Sequence, residues 1–181
     1  MTDDQLMSRI AKGDSKAFQK LFDRHSGLVF GYAMQLLNRR EQAEDLSQEI
    51  WMKVLRQSPH YQPQGHFVAW LRTLTRNAAF NKIRNQKRWT LPTDSADQEL
   101  LNLPSKQDLE IELIQHSEVE RLQVKINELP EMQRVALVTW LSEDLSYDDL
   151  ASHLDISVSA LKSLLFRARK FLVDEMSEDA S

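Results

Sequence analysis

The chain of 181 residues has no cysteine, only four glycines and only five prolines. Without cysteine, disulfides, thiol redox chemistry and cysteine–zinc sites are excluded. So little glycine and proline, with no alternation of β-branched residues, argues for an all-α fold. No run approaches the roughly 18 apolar residues that a membrane span needs, so membrane insertion is not expected. The opening stretch MTDDQLMSRIAKGD is acidic and amphipathic rather than basic and then apolar, unlike a signal peptide, and the expected compartment is the cytoplasm. The five histidines (25, 60, 66, 116 and 153) lack metal-ligand spacing, and no glycine-rich loop is present to cradle a phosphate. Neither an enzyme nor a metal or cofactor is expected.

What the chain does have is charge sorted into blocks. The formal net charge is -4, and a hydrophobic content of 41% with 28% charged residues is ordinary for a globular protein. Residues 1–66 carry nine bases and eight acids, whereas 67–89 carry six bases and no acid. Residues 90–128 have three bases against nine acids, and 129–181 have five against ten. Within that last block, 157–173 is +4 with no acid at all. A solvated helix face usually mixes signs, so a single-sign run with regular apolar residues indicates a fixed anionic partner. Two such islands in an acidic chain suit two separate contacts on one polyanion.

Periodicity and breakers divide the chain into two small helical domains joined by a flexible linker. A short helix from Asp3 to Lys12 stops at Gly13, and Asp14 caps the next, which runs to about Leu37. A third helix covers Glu41 to Arg56; SPHYQPQGH (58–66) is a loop, and a fourth helix runs from Phe67 to about Arg88. Residues 90–108 lose periodicity and read as the linker. Helical spacing resumes at Leu109, breaks at Pro130 and continues at about 131–142, 146–154 and 157–175. The domains are thus 1–89 and 109–181.

On a helix at about 100° per residue, Phe67, Trp70, Leu71, Leu74 and Ala78 share one inward face. Beside it Asn77, Asn81, Arg84 and Arg88 form a stripe at spacings of 4, 3 and 4, with Arg72, Arg76 and Lys87 on the far side. Asparagine pairs with an adenine edge and arginine with guanine or phosphate, so this stripe has the chemistry to read nucleic acid. A solvated polar flank is the plainer alternative. His60, Tyr61 and His66 in the preceding loop are of types that stack on or hydrogen-bond an unpaired base.

Residues 145–172 read as helix, tight turn, helix. Ser146 and Asp149 resemble a capping box, Ala151 is small where two helices must cross, and Ser157 can cap the second helix. There Val158, Leu161, Leu165, Ala168 and Leu172 face inward, and Ser159, Lys162, Ser163, Phe166, Arg167, Arg169 and Lys170 outward. This is the layout of a helix-turn-helix, whose second helix enters the major groove; a plain helical hairpin is the alternative. The third helix differs: Ala43, Leu46, Ile50 and Val54 face inward, while Glu41, Asp45, Gln48 and Met52 make an outer stripe with Trp51 and Leu55 at its edge. Carboxylates beside an exposed Met and Trp suit a protein partner rather than DNA, because they repel phosphate. An acidic solvated face fits the same pattern.

In order, AEDLSQEIWMKVL, FVAWLRTLTRNAAFNKIRNQKR and LPEMQRVALVTWLSEDLSYDDLASHLDISVSALKSLLFRARKFL resemble the extracytoplasmic-function sigma factors of bacteria, over nearly the whole chain. The resemblance implies a promoter-specificity subunit of RNA polymerase. It assigns 1–89 to region 2, with Asp45, Leu46, Gln48, Glu49 and Trp51, and with them Met52, docking the β′ clamp helices of core polymerase. It implies that the 58–66 loop, including His60 and Tyr61, captures an extruded base of the −10 element near Asn77, Asn81, Arg84 and Arg88. Region 4, 109–181, would read the −35 element through Ser159, Lys162, Ser163, Phe166, Arg167 and Arg169, while the acidic linker would occupy a basic channel of the polymerase. An anti-sigma factor is the implied regulator, and a monomer is expected when free.

One departure stands out. The family usually begins its recognition helix with Gly-Thr-Val-Lys/Arg-Ser-Arg, where this chain has Ser159 to Leu164. Leu164 replaces a common arginine and Ala160 a threonine able to touch phosphate, so weaker or altered −35 recognition is expected. A helix-turn-helix regulator acting without polymerase is the main competing reading. It would make the third helix purely structural and would need a dimerisation element, of which no sign is visible. A sigma mimic that binds no DNA is disfavoured by the intact basic helices.

Overall fold

The computed structural model describes residues 1–86 and 119–178, and every element among them is helical. In order these are α1 (Asp3–Ile10), α2 (Ser15–Leu37), α3 (Arg40–Gln57), α4 (Phe67–Gln86), α5 (Val119–Glu128), α6 (Glu131–Ser142), α7 (Tyr147–Leu154) and α8 (Val158–Glu178). The linker at 90–108, the helical start at Leu109, and Lys87 and Arg88 lie outside the described residues. The chain divides into two compact units, Met1–Ala79 and Phe80–Ser181, a division that falls within α4.

In the first unit the starts of α1 and α2 have local causes. Thr2 caps α1 in a reciprocal box: its hydroxyl accepts from Gln5 N at 3.3 Å, and the Gln5 side chain accepts from Thr2 N at 2.9 Å. α1 ends at Ile10, two residues before the Lys12 expected from sequence, and Gly13 turns the chain at φ 84°. Asp14 caps α2 by accepting from Ala17 N at 3.1 Å. That bond and the Arg9 guanidinium hold its carboxyl below the usual range. The core joins Leu6 and Met7 of α1, Leu21 and Leu36 of α2, and Leu46 and Ile50 of α3. Burial of each such side chain contributes roughly 1.5–3 kcal/mol.

The 58–66 loop is not wholly irregular. Ser58–His60 forms one 3-10 turn, which Pro59 tolerates because its fixed φ suits the first turn of a helix and its missing N–H has no bond to lose there. α4 is also buried over more of its surface than its apolar stripe predicts. Arg76, placed by periodicity on the far side, is 0% exposed, and Thr75, Ala79, Phe80 and Ile83 are buried as well.

In the second unit, Pro130 separates α5 from α6. The buried Arg134 donates to the carbonyls of Asn127 (3.2 Å) and Leu129 (3.0 Å), groups that the end of α5 leaves without helical partners. Lys125 reaches Glu175 at 2.6 Å and so ties α5 to α8. Ser146 caps α7, accepting from Asp149 N at 3.1 Å. The Asp149 carboxylate accepts from the Ser146 hydroxyl at 2.6 Å, so the reciprocal bond to backbone of a full capping box is not the one formed. α7 ends at Asp155, whose left-handed φ of 55° makes the tight turn, and Ser157 then caps α8 by accepting from Ala160 N at 3.1 Å. The fold is thus all-α, with α7 and α8 forming the helix-turn-helix.

Candidate functional site

Three surfaces carry the residue types singled out by sequence. The first is the outer face of α3, where Glu41, Asp45, Gln48, Glu49 and Met52 are all exposed, Met52 by 55%. Glu49 pairs with Lys53 at 2.7 Å along the helix, and Leu55 adds a second exposed apolar group. Two residues depart from the sequence pattern. Trp51, expected at an exposed edge, is only 5% exposed, because its ring packs 5.1 Å from Phe22 and 5.9 Å, edge on, from Phe18 of α2. Leu46 is 0% exposed in the α2–α3 core. These two serve any partner only through the helix they anchor, whereas Phe22, beside Trp51, was missed and is exposed.

The second surface comprises the 58–66 loop and α4. Asn81 is exposed, while Asn77 and Arg84 are half-buried. Arg76 Nε donates to Asn77 Oδ1 at 3.1 Å, so the buried arginine sets the orientation of the amide beside it. Arg72 lies over the Tyr32 ring, 5.9 Å from its centroid, which fixes another cation of the acid-free run. In the loop His60 and His66 are exposed, but Tyr61 is not a free stacking platform. Its hydroxyl donates to Asp4 at 2.7 Å, and its ring meets Trp70 at 5.1 Å and Phe67 at 6.0 Å. Burial and the adjoining Asp4 carboxylate together raise its pKa, so the hydroxyl stays protonated. Arg88, the last member of the stripe, lies outside the described residues.

The third surface is α8. Arg167 and Lys170 are exposed, and Ser159, Lys162, Phe166 and Arg169 are half-buried. Ser163, expected to point outward, is only 7% exposed. α8 packs against α5, α6 and α7, so a wider arc of it is covered than one apolar stripe requires. The same packing buries Ala160 and Leu164, two of the positions that depart from the family pattern. Both substitutions are therefore absorbed in the interior. Lys162 lies over the Tyr147 ring, a contact between the two helices of the motif that sequence did not reveal.

Among the described residues no helix is long and apolar enough to cross a membrane, and no group of three or more His, Asp or Glu is placed to hold a metal ion.

Comparison with known proteins bears on the family of the chain. Residues 21–89 match the family described as sigma-70 region 2, and residues 120–172 match sigma-70 region 4. The chain is 30% identical to the ECF RNA polymerase sigma-E factor of Haemophilus influenzae, over 97% of this chain and 96% of that one. It is 28% identical to the RNA polymerase sigma-H factor of Pseudomonas aeruginosa, over 93% and 90% of the two chains. Among solved structures, the sigma factor RpoE of Bartonella quintana, crystallised with the anti-sigma factor NepR, has a TM-score of 0.54 at 21% identity. That match covers 90% of this chain and 98% of the other. CnrH, solved in complex with the cytosolic domain of CnrY, has a TM-score of 0.50 at 20% identity, over 98% of each chain; both likenesses bear on the fold. Family matches in both units, together with a full-length relative, establish that the chain belongs to the extracytoplasmic-function sigma factors of the sigma-70 family.

Proposed function

We infer that the chain is an alternative sigma factor that binds core RNA polymerase and directs it to specific promoters through two DNA contacts. One observation carries this reading: a single chain combines an acidic, Met-bearing face on α3, an acid-free α4 and a helix-turn-helix with a basic second helix. The first suits a protein and the other two suit DNA, the combination that a promoter-specificity subunit requires.

In this reading Asp45, Gln48, Glu49 and Met52 dock the β′ clamp helices, and Leu46 and Trp51 hold α3 in position from beneath. The 58–66 loop receives an unstacked −10 base at a rim formed by His60 and His66, with Asn77, Asn81 and Arg84 along the neighbouring strand. Tyr61 braces that loop from below. Lys162, Phe166, Arg167 and Arg169, with Ser159 at the helix start, meet the −35 major groove; the buried Ser163, Ala160 and Leu164 do not. The domain assignment is 1–89 for region 2, 90–108 for the linker and 109–181 for region 4. The protein acts in the cytoplasm, without catalytic activity of its own. One structural relative was solved with an anti-sigma factor, NepR, and another with the cytosolic domain of CnrY, which supports a protein regulator of the anti-sigma kind for this chain as well.

Transcription in vitro with purified core polymerase on promoters from the source genome tests the reading. Promoter-specific run-off that depends on the added chain is expected. Absence of core binding, combined with tight sequence-specific gel shifts by the chain alone at physiological salt, would instead establish an independent helix-turn-helix regulator. Poor duplex binding by the free chain is expected, because its net charge is -4 and acidic stretches flank both basic islands.

A further inference from the structure

The −10 reading leaves unused a carboxylate of the first unit that is bonded twice to the 58–66 loop. Asp4, in the first turn of α1, accepts two hydrogen bonds from the 58–66 loop. Tyr61 donates its hydroxyl to Oδ1 at 2.7 Å, and Gly65 donates its backbone N–H to Oδ2 at 2.7 Å. Gly65 sits at φ 75°, in a region that favours glycine, so the loop takes a special backbone conformation where the carboxylate grips it. The two donors bracket the segment between the 3-10 turn and α4, so one side chain fixes both ends of a loop whose His60 and His66 remain exposed. The carboxylate is itself held in place. Its neighbour Asp3 accepts from Arg24 and lies 2.9 Å from His25 Nε2, both on α2. The His25 ring in turn packs 5.3 Å from Phe67, the first residue of α4.

We propose that Asp4 is a positioning residue for promoter recognition: its carboxylate, bonded to Tyr61 and Gly65, sets the shape of the loop that receives the −10 base. The proposal rests on the sigma-factor reading. The loop contributes exposed side chains but little internal bonding, and a base pocket needs fixed walls to discriminate. Asp4 supplies the constraint from outside the loop. Losing it leaves the loop connected but free to vary, which reduces discrimination among bases before it reduces stability.

The test uses holoenzyme assembled from full-length chain and core polymerase, and DNA fragments randomised across the −10 element with a fixed −35 element. Open complexes are recovered and sequenced for the parent, Asp4→Ala, Tyr61→Phe, the double variant and Asn81→Ala. Asp4→Ala is expected to reduce base preference at one −10 position by about three- to tenfold, in keeping with loss of hydrogen bonds of ordinary strength. Core affinity and −35 preference are expected to stay at parental values. Tyr61→Phe should lose less at the same position, and the double variant no more than Asp4→Ala, because both act through one contact. A parental preference profile in both single variants would overturn the proposal, as would an even loss at all positions together with a lowered melting temperature. If Asp4→Ala fails to fold, Tyr61→Phe, which removes a single oxygen, decides alone. A parent that selects no sequence at all would defeat the sigma-factor reading and this proposal with it. Lost preference in Asn81→Ala beside an unchanged Asp4→Ala would defeat only the proposal.

Discussion

Lys162 of α8 holds its ammonium 5.6 Å from the centroid of the Tyr147 ring at the start of α7. Tyr147 is itself stacked on Trp140 of α6, with centroids 5.6 Å apart and planes inclined by 23°. Three helices thus meet in one column that ends in a cation on the proposed DNA-reading helix. Burial raises the pKa of Tyr147, which keeps the ring neutral. Replacing Tyr147 with Leu removes the π face and is expected to weaken −35-dependent closed-complex formation about two- to fivefold, the range for one partly exposed cation–π contact. Tyr147→Phe, which keeps the ring, is expected to match the parent. Filter binding of holoenzyme to promoters with and without a −35 element checks both variants.

The outer face of α3 and the side chains beneath it are expected to respond differently. Reversing Asp45 and Glu49 to Lys inverts the charge of two exposed positions and breaks the surface Glu49–Lys53 pair. Core affinity is therefore expected to fall tenfold or more, while helicity and melting temperature change little because surface pairs contribute little to stability. Trp51→Ala empties the slot beside Phe18 and Phe22, and large-to-small changes of this kind cost about 3–5 kcal/mol of stability. Titration against labelled core and thermal melts separate the two effects. Parental core binding by a well-folded Asp45/Glu49 variant would remove α3 from the docking face.

The two basic helices are expected to act at different steps. Loss of Asn77 or Asn81 is expected to reduce open-complex formation roughly ten- to hundredfold, since one base contact is worth about 1–3 kcal/mol. Arg167→Ala is expected to weaken −35 preference and closed-complex affinity. A pre-opened bubble template is expected to rescue Asn81→Ala in part and to leave Arg167→Ala without its −35 preference. Permanganate footprinting beside run-off transcription on both templates reads the difference; normal duplex melting by the Asn variants would show that α4 does not open the promoter.

Lys125 makes stability of the second unit depend on pH at the alkaline end. Its hydrogen bond to Glu175, helped by Glu128, holds its pKa above the usual 10.5, although partial burial works against this. A raised folded-state pKa means the stabilisation is fully present below the ordinary lysine value and fades as pH climbs past the folded one. The melting-temperature gap between the parent and Lys125→Gln is therefore expected to be constant from neutral pH to about 10 and to close above the lysine range. Thermal melts followed by circular dichroism across that interval measure it. A gap that closed well below pH 10 would mean the ion pair is not the source of the stabilisation.

Among the described residues, sequence alone determined which segments are helical, most of their breaks and the residue chemistry of each helix. Gly13, Pro130 and the caps Asp14, Ser146 and Ser157 act within a few residues of themselves, and all five punctuate the chain as local rules require. The acid-free run and the DLSQE helix were legible for the same reason: residue type and spacing are local properties. Tertiary structure decided which of those faces meet solvent. A helical wheel puts Trp51 at an edge and Arg76 on the far side, yet Phe18 and Phe22 cover the tryptophan and the fold encloses the arginine completely. Ser163, Ala160 and Leu164 are buried because three helices pack on α8, where one apolar stripe predicts a single covered side. The Asp4–Tyr61 bond joins residues 57 positions apart. No spacing rule links such a pair, because their approach depends on how α1 lies against the loop, and only the packing of the whole unit sets that.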